Sequence, residues 1–369
     1  MNILVTGAKG FIGKNLISEL RNKGYSSIFE YDIDTSFTEL EDFTNKCDFV
    51  FHLAGVNRPE NQDEFMKGNY GFTTDLLELL EKQRRQIPVL ITSSIQATSD
   101  NPYGKSKKAG EDVIFEYGEK TGSNVYVYRL PNVFGKWSRP NYNTVVATFC
   151  YKIVRNQDIQ INDPKVELSL VYIDDVVTEF IKTLSGITVK EDQYSIIPVV
   201  YKITLGRLAE LIKSFKDSRN NLSVINTLDE LENKLYATYL SFLPQDDFGY
   251  NLKMNVDSRG SFTEFLRTGD RGQVSVNVAK PGITKGNHWH HTKNEKFLVV
   301  SGKASIKFRA LDSKEIIEYL VTGDNLRVID IPTGYTHNIE NIGDTDLVTV
   351  MWANECFNPE KPDTYFLEV

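Results

Sequence analysis

Cysteine is scarce in this sequence, and long apolar runs are absent from it. The 369 residues contain three cysteines, Cys47, Cys150 and Cys356, an odd number at distant positions. That pattern excludes a disulfide scaffold and indicates packing residues in a reducing compartment. No apolar run approaches the ~20 residues that a membrane-spanning helix needs, and no basic, apolar leader precedes the first strand. We therefore expect a cytoplasmic protein that does not enter a membrane.

Positive charge is also in deficit, since 42 lysines and arginines face 50 acidic residues and the net charge is −8 at pH 7. Binding to nucleic acid or to an anionic membrane needs a basic surface, so we expect neither as a partner. A small anionic substrate remains compatible, because single lysines and helix N-termini bind anions. The chain is longer than a single core usually is, which predicts two domains.

The pattern of predicted secondary structure changes about two thirds of the way along the sequence. Residues 1–243 alternate short apolar runs with amphipathic helical segments, which predicts a doubly wound, Rossmann-type parallel sheet. Residues 244–252 contain Pro, Asp and Gly and are predicted to form a linker. Residues 253–369 consist of strand-like segments with turns at short intervals, which predicts an all-β barrel or sandwich.

The first strand ends in a glycine-rich turn, GAKGFIG, that leads directly into a helix. Glycines in such a turn let the backbone approach a pyrophosphate, which then lies on the first amides of the helix. Together with the HLAG segment at the end of a later strand, the turn predicts a dinucleotide site. Its predicted residues are Gly7, Lys9, Gly10, Phe11, Ile12, Gly13, Asp32, Leu53, Ala54, Gly55 and Lys107. We interpret His52 as a structural residue.

The nucleotide site leaves the choice of cofactor open. Asp32 ends the second strand, where an acidic residue typically binds the ribose hydroxyls and disfavours a 2′-phosphate. This position favours NADH on electrostatic grounds. Lys9, in contrast, is close enough in sequence to reach a 2′-phosphate, which would favour NADPH.

Tyr103 and Lys107 are one helical turn apart, so their side chains point the same way. We expect the ammonium to lower the pKa of the phenol, so that Tyr103 exchanges a proton with a carbonyl or hydroxyl while a hydride moves. Ser94, at the end of a strand, is expected to hold the same oxygen. Ser94, Tyr103 and Lys107 are therefore the predicted catalytic residues.

The segments GAKGFIG, HLAG, SS, YGKSK, RLPNVFG and VYIDDV resemble the extended short-chain dehydrogenase/reductase family over roughly residues 1–240. The resemblance implies a nucleotide-sugar substrate and NADPH as the cofactor of a biosynthetic reduction. The connection between Ser94 and Tyr103 is shorter than the family usually has. The segment ELSLVY also lacks an arginine that many relatives place near the diphosphate, and Lys152 and Arg155 are candidate substitutes or surface charges.

Histidine is concentrated near the other end of the chain, where four of the five histidines lie between residues 288 and 337. His288 and His290 face the same side of a strand, and His291 faces the other. With Glu295 and His337 they supply three imidazoles and one carboxylate, a ligand set suited to a divalent transition metal. We predict a metal site at these four residues, with zinc first and iron or manganese as alternatives.

The spacing from Gly282 to Gly302 and from Pro332 to Asn341 resembles the two cupin motifs, although Gly323 lies farther from Pro332 than usual. It implies a double-stranded β-helix, or jelly roll. The whole chain resembles the bifunctional UDP-sugar epimerase/reductases of capsular polysaccharide synthesis. That resemblance implies C3 epimerisation of a UDP-2-acetamido-2,6-dideoxy-4-hexulose in the cupin domain. Reduction of the C4 ketone would then give a UDP-6-deoxy-talosamine-type precursor of UDP-N-acetyl-L-fucosamine.

Several alternatives remain open at this point. Lys285, Tyr335 and Glu264 are all candidates for the base that removes the C3 proton, and Lys285 would need a lowered pKa for that role. The cupin could instead only bind sugar or hold a homodimer, which is the oligomer we expect. A nucleotide sensor without catalysis is disfavoured, because a pure binding domain does not need Ser94, Tyr103 and Lys107.

Overall fold

The computed structural model describes residues 1–369, and the chain divides into two compact units. The first comprises residues 1–215 and 227–244, and the second comprises residues 216–226 and 245–369. Residues 216–226 join the second unit through two backbone hydrogen bonds. The amide of Val224 donates to the carbonyl of Arg267 (3.2 Å), and the amide of Arg267 donates to the carbonyl of Leu222 (2.7 Å). The domain boundaries at residues 243 and 253 stay a prediction. The order of segments along the chain does not by itself indicate that residues 216–226 attach to the second unit.

The first unit is built on a seven-stranded sheet of order β2-β1-β3-β4-β5-β9-β8. Its strands are β1 (Ile3–Thr6), β2 (Ile28–Tyr31), β3 (Phe49–His52), β4 (Val89–Ser94), β5 (Val125–Leu130), β8 (Lys190–Glu191) and β9 (Tyr194–Ser195). Every neighbouring pair is parallel except β8 with β9. A smaller sheet of order β10-β7-β6 contains β6 (Asn132–Phe134), β7 (Glu167–Tyr172) and β10 (Tyr201–Thr204).

Helices cover both faces of the large sheet. The helices of the chain are α1 (Phe11–Asn22), α2 (Phe37–Lys46), α3 (Asp63–Met66), α4 (Phe72–Lys82), α5 (Pro102–Thr121), α6 (Val145–Val154), α7 (Ile173–Lys182), α8 (Leu205–Asn221) and α9 (Glu230–Leu240), of which α1 and α7 pack in one core cluster of the sheet and α2, α4 and α5 in the other. Along β1, Ile3 and Val5 pack with Leu16 in one core cluster, whereas Leu4 packs with Leu76 in another. A strand buried on both faces reads as a continuous apolar run. The predicted doubly wound parallel sheet is therefore confirmed.

The second unit is a pair of antiparallel sheets. One has the order β11-β12-β13-β20-β15-β18 and the other β17-β16-β19-β14-β21. The strands are β11 (Asn255–Asp257), β12 (Gly260–Thr268), β13 (Gly272–Ala279), β14 (Thr284–Trp289), β15 (Glu295–Ser301), β16 (Lys303–Ala310), β17 (Ile316–Thr322), β18 (Val328–Ile331), β19 (Tyr335–Asn341), β20 (Leu347–Ala353) and β21 (Tyr365–Phe366). Phe297 and Val299 of the first sheet share one buried cluster with Ile306 and Ile339 of the second. This cluster confirms the predicted all-β, cupin-like fold.

The three cysteines form no disulfide, and Cys47 and Cys150 are buried. No helix in the structure combines the length and the apolar character that crossing a bilayer requires.

Candidate functional sites

The glycine-rich turn requires glycine at two positions, one packed against the loop after β3 and one packed against the backbone of the turn itself. Gly7 has φ of +69°, and a Cβ there would lie 2.7 Å from the amide nitrogen of Ala54. A Cβ on Gly13 would lie 2.3 Å from the carbonyl oxygen of Gly7. A side chain at Gly7 would therefore push the turn away from Leu53 and Ala54, and a side chain at Gly13 would push the helix away from the turn. The predicted nucleotide segments Gly7–Gly13 and Leu53–Gly55 thus meet at the carboxyl ends of β1 and β3.

The helix that follows the turn leaves its first amides available. α1 begins at Phe11 after the cap residue Gly10, with no side-chain cap and no acidic residue in its first turn. The amides of Phe11, Ile12 and Gly13 have no intrahelical acceptor by helix geometry, and the helix dipole favours an anion there. This end of α1 therefore fits the pyrophosphate of a dinucleotide.

The end of β2 brings two carboxylates and one lysine beside this turn. Asp32 Oδ2 accepts the amide of Lys9 (2.7 Å), and Asp32 Oδ1 accepts the amide of Ile33 (2.8 Å). The ammonium of Lys9 pairs with the carboxylate of Asp34, and both side chains are largely exposed. Asp32 therefore faces the turn, where it can meet a ribose, and Lys9 lies next to the same position.

The structure brings Ser94 and Tyr103 into contact through a short connection. β4 ends at Ser94, a single 3₁₀ turn spans Ile95–Thr98, and α5 begins at Pro102. Asn101 caps α5 by accepting the amide of Gly104 (2.8 Å), which places Tyr103 in the first turn. One 3₁₀ turn is therefore enough to bridge the connection that is short for the family.

The phenol of Tyr103 is more basic than we expected. Burial raises its pKa, although a hydrogen bond with the hydroxyl of Ser94 opposes the shift, and Lys107 does not contribute. The expectation that the ammonium lowers the pKa of Tyr103 is therefore wrong, because desolvation of the ring dominates. The hydroxyl donates to Asn57 Oδ1 (3.1 Å), and the ring lies against Phe65 with centroids 5.5 Å apart. A phenol in this environment keeps its proton at neutral pH.

Lys107 is buried beneath the loop that would hold the cofactor. Its ammonium donates to the carbonyl of Thr92 (3.3 Å), and a Cβ on Gly55 would lie 3.0 Å from Lys107 Nζ. Burial lowers the pKa of Lys107 to about 8, and the negative charge of Glu111 opposes this shift. Lys107 thus links α5 to β4 and to the HLAG segment at one point.

Sequence reasoning missed two asparagines at this site. Asn57 accepts from Tyr103 across 46 residues. Asn69 lies in a π-helical turn, where its side chain bonds the backbone of Val56 twice (2.9 Å each) and donates to Ser106 Oγ (3.0 Å). Neither asparagine belongs to a short motif, so only their folded positions identify them.

A buried ion pair lies one helical turn beyond Lys107. Glu111 is fully buried, accepts the hydroxyl of Ser93 (2.6 Å), and binds Arg129 through both carboxylate oxygens (2.9 and 2.6 Å). The guanidinium also stacks on the ring of Tyr194, 3.8 Å from its centroid. Because Ser93 precedes Ser94, this pair ties α5 to the strand end that carries the site.

We expect Arg129→Met to destabilise the first unit by about 3 kcal/mol, because it leaves the buried carboxylate of Glu111 without a compensating positive charge. Denaturant unfolding of the full chain measures the change. Arg21→Met is the control, since Arg21 pairs with Glu30 at the exposed surface (2.5 Å) and should have little effect. Equal midpoints for the two variants would contradict the importance of the buried pair.

Two other sequence candidates have structural partners. His52 is buried between the hydroxyls of Thr6 (2.7 Å) and Thr73 (2.9 Å), and burial, together with the charge of Lys107, lowers its pKa to about 3. The neutral ring therefore joins β1, β3 and α4, which supports the structural interpretation. Arg155 donates to the carbonyl of Phe242 (3.2 Å) and stacks on Tyr151 at 4.0 Å.

The second unit brings the four predicted metal ligands together. His288 on β14 is directly opposite His337 on β19, His290 follows the end of β14, and Glu295 is the first residue of β15. One ligand atom from each of the four lies within 4.8 Å of the others. His291 lies outside this group, with its ring against Trp289 (4.5 Å between centroids).

The electrostatics of the cluster suit a cation. Both ring nitrogens of His337 are buried without a hydrogen-bond partner, and its Nε2 lies 3.4 Å from Glu295 Oε2. Burial, and then the neighbouring imidazoles, lower the pKa of His288 to about 4. Burial opposes the ionisation of Glu295, but His290 and His337 hold its pKa well below the usual range. At neutral pH the imidazole of His288 is therefore neutral and the carboxylate of Glu295 charged, which is the state in which these two groups ligate a divalent metal.

A cavity of about 560 Å³ opens onto this cluster. Besides ligand residues it is lined by Arg259, Asn277, Lys285 and Lys293. Of the three candidate bases, Lys285 lines the cavity, whereas Tyr335 and Glu264 do not. The ammonium of Lys285 donates to Asn277 Oδ1 (2.8 Å) and to the carbonyl of Val278 (2.9 Å), and burial lowers its pKa.

Comparisons with known proteins match both units. Residues 3–196 match the family model described as the NAD dependent epimerase/dehydratase family, and residues 255–365 match the polysaccharide biosynthesis C-terminal domain. The chain is 46% identical to the UDP-2-acetamido-2,6-beta-L-arabino-hexul-4-ose reductase of Pseudomonas aeruginosa, over 100% of this chain and 99% of that protein.

Solved structures give the same result. The capsular polysaccharide assembling protein CapF of Staphylococcus aureus is 57% identical, with a TM-score of 0.95 and full coverage of both chains. The UDP-glucuronic acid 4-epimerase of Bacillus cereus, solved with UDP-glucuronic acid and NAD, is 17% identical with a TM-score of 0.54. It covers 66% of this chain and 99% of that one, and this similarity shows the fold alone.

Proposed function

This chain belongs to the NAD-dependent epimerase/dehydratase family, and we propose that it is a bifunctional UDP-sugar enzyme of capsular or surface polysaccharide synthesis. The second unit epimerises C3 of a UDP-2-acetamido-2,6-dideoxy-4-hexulose, and the first unit reduces the C4 ketone. The product is a UDP-6-deoxy-talosamine-type sugar. This proposal depends on the presence of two sites on one chain. The first unit has the Ser94–Tyr103 pair and the glycine-rich dinucleotide turn, and the second has the cluster of four metal-ligating residues at a cavity.

In the reductase site, the residues of the chain handle the proton. NADPH, when bound, supplies a hydride to C4 of the sugar. Tyr103 donates its proton to the ketone oxygen, and its raised pKa keeps that proton in place until the oxygen becomes basic. Ser94 holds the same oxygen, and Lys107 links α5 to β4 and to the HLAG segment that would carry the cofactor.

In the second site, the C3 proton must leave a carbon next to the ketone. A divalent metal held by His288, His290, Glu295 and His337 would polarise the ketone oxygen and make this proton acidic. Lys285 is our candidate for the group that exchanges the proton, because it lines the cavity and burial lowers its pKa. The substrate named for the Pseudomonas relative, a 4-hexulose, carries the ketone that both steps need.

The test is a single incubation of the purified protein with UDP-4-keto-6-deoxy-N-acetylhexosamine and NADPH in heavy water. We expect NADPH oxidation together with deuterium at C3, detected by NMR of the product. Oxidation without deuterium would mean that the second unit only binds sugar. If the protein oxidises neither NADPH nor NADH with this substrate, the reductase proposal is overturned.

We propose NADPH as the cofactor, with Lys9 as the contact to its 2′-phosphate. The Lys9–Asp34 pair is exposed and contributes little, so a phosphate dianion can replace Asp34 as the partner of Lys9. Lys9→Ala should lower kcat/KM for NADPH about tenfold, as expected for the loss of one charged contact of about 1.4 kcal/mol. Turnover with NADH should stay unchanged in Lys9→Ala, and Lys14→Ala, at an exposed position on the helix that follows the turn, is the control. A strong NADH preference in the unaltered enzyme would show that Asp32 decides the cofactor.

A further inference from the structure

The last residues of the chain form an added strand beside the strand of the metal ligands. β21 pairs with β14 so that Phe366 is opposite His288 and Tyr365 is opposite Trp289. The rings of Trp289 and Tyr365 are 5.0 Å apart, and the amide of Leu367 donates to the carbonyl of Asn287 (2.9 Å). The C-terminal segment, residues 363–369, is therefore attached directly to the edge of the ligand cluster.

Asp363 begins this segment and binds the loop between two ligands. Its carboxylate accepts the amides of His291 (3.0 Å), Thr292 (2.9 Å) and Lys293 (2.8 Å), and also the hydroxyl of Thr292 (3.2 Å). These residues connect His290 to Glu295. Asp363 has φ of +37°, in the left-handed region that costs free energy for a residue with a side chain. The contacts of the carboxylate hold it in this conformation.

The backbone of Asp363 orients a ligand as well. Nδ1 of His290 lies 2.6 Å from the carbonyl oxygen of Asp363. A carbonyl can only accept, so Nδ1 carries a hydrogen and Nε2 is the ring nitrogen left to ligate a metal. Nε2 lies 3.4 Å from Glu295 Oε2, on the side of the cluster. Such a hydrogen bond fixes both the tautomer and the orientation of a ligating imidazole.

We propose that Asp363 is a positioning residue for the metal centre, so that the C-terminal segment sets the affinity of the second unit for its metal. The carboxylate holds the loop from His290 to Glu295, and the carbonyl selects the tautomer of His290 that can ligate. Both motifs of the cupin pattern end before residue 342, so the sequence pattern does not include Asp363. This inference rests on the proposed metal site.

The test measures zinc affinity in the full-length protein by competition with a chromophoric chelator. Asp363→Ala should weaken zinc binding by about 10–100-fold, the usual effect of removing a partner of a ligand. Asp363→Asn should lose less but still weaken binding, because its amide oxygen can accept from the loop whereas its NH2 group cannot replace the second accepting oxygen. Glu360→Ala is the matched control, since Glu360 lies in the same region and is exposed. In cobalt-loaded protein, the visible absorption band of Asp363→Ala should shift, whereas that of Glu360→Ala should not.

The outcomes separate this inference from the metal site itself. The unaltered protein should bind one zinc ion, and His290→Ala should lose it; failure here would overturn the proposed metal site. If the unaltered protein binds zinc and Asp363→Ala binds it equally well, the positioning role is overturned. The metal-free forms of Asp363→Ala and the unaltered protein should unfold at similar midpoints. If Asp363→Ala does not fold, Asp363→Asn decides, and unaltered zinc affinity in that variant overturns the proposal.

Discussion

Tyr103→Phe is expected to lower the rate of NADPH oxidation by ~10²–10⁴-fold, the usual contribution of a positioned proton donor. Phenylalanine keeps the ring that packs against Phe65 and loses only the hydroxyl that bonds Ser94 and Asn57. The hydride can then still be delivered, but the developing alkoxide receives no proton. Steady-state turnover with the 4-keto sugar measures the effect.

Cofactor binding should survive in Tyr103→Phe, because the glycine turn and the first amides of α1 are unchanged. A fluorescence titration with NADPH should therefore give the same Kd as the unaltered enzyme. Tyr70→Phe is the control, since Tyr70 is a tyrosine of the same unit that is 38% exposed. Normal turnover in Tyr103→Phe would show that another group donates the proton.

His290→Ala is expected to abolish deuterium exchange at C3, with a loss of at least ~10³-fold, because a ligated metal contributes several kcal/mol to the stabilisation of developing negative charge. The variant removes one of three imidazoles and the hydrogen bond to Asp363. Metal analysis of the purified variant should show a depleted site. Exchange is measured by NMR in heavy water, without NADPH, so that reduction does not interfere.

The reductase should remain active in His290→Ala when an already epimerised 4-ketone is supplied. Ser94, Tyr103 and Lys107 belong to the first unit, whose core is separate from that of the second. His291→Ala is the matched control, because its imidazole is adjacent in sequence and lies outside the cluster. Full exchange in His290→Ala would mean that the metal is structural. Loss of both activities would mean that the two sites depend on each other.

The fold could be predicted because its signals are local. A strand buried on both faces, such as β1, is a short apolar run, and the amphipathic helices between such runs imply parallel pairing. The strand-like segments after residue 253, with turns at short intervals, predicted the all-β class of the second unit in the same way. Residues 216–226 are an exception, because their attachment to Arg267 depends on backbone pairing across a large sequence separation.

The membership of both candidate sites could also be predicted from short spacings. Tyr103 and Lys107 share a face because they are one helical turn apart, and His288 and His290 share a face because they are two residues apart on a strand end. Residue spacing does not predict how deeply these groups are buried or which distant residues contact them. The pKa of Tyr103 moves in the direction opposite to our expectation, because burial of the side chain raises it and the charge of Lys107 does not contribute.

The sequence by itself therefore determined the two fold classes and which neighbouring side chains share a face of a helix or strand, because helix and strand periods act over a few residues. Only the tertiary structure decided what stands behind those side chains. Asn57 reaches Tyr103 across 46 residues, and Asp363 reaches His290 across 73. Such contacts, and the desolvation that shifts each pKa, arise when distant segments pack together, and no local pattern of residues encodes them.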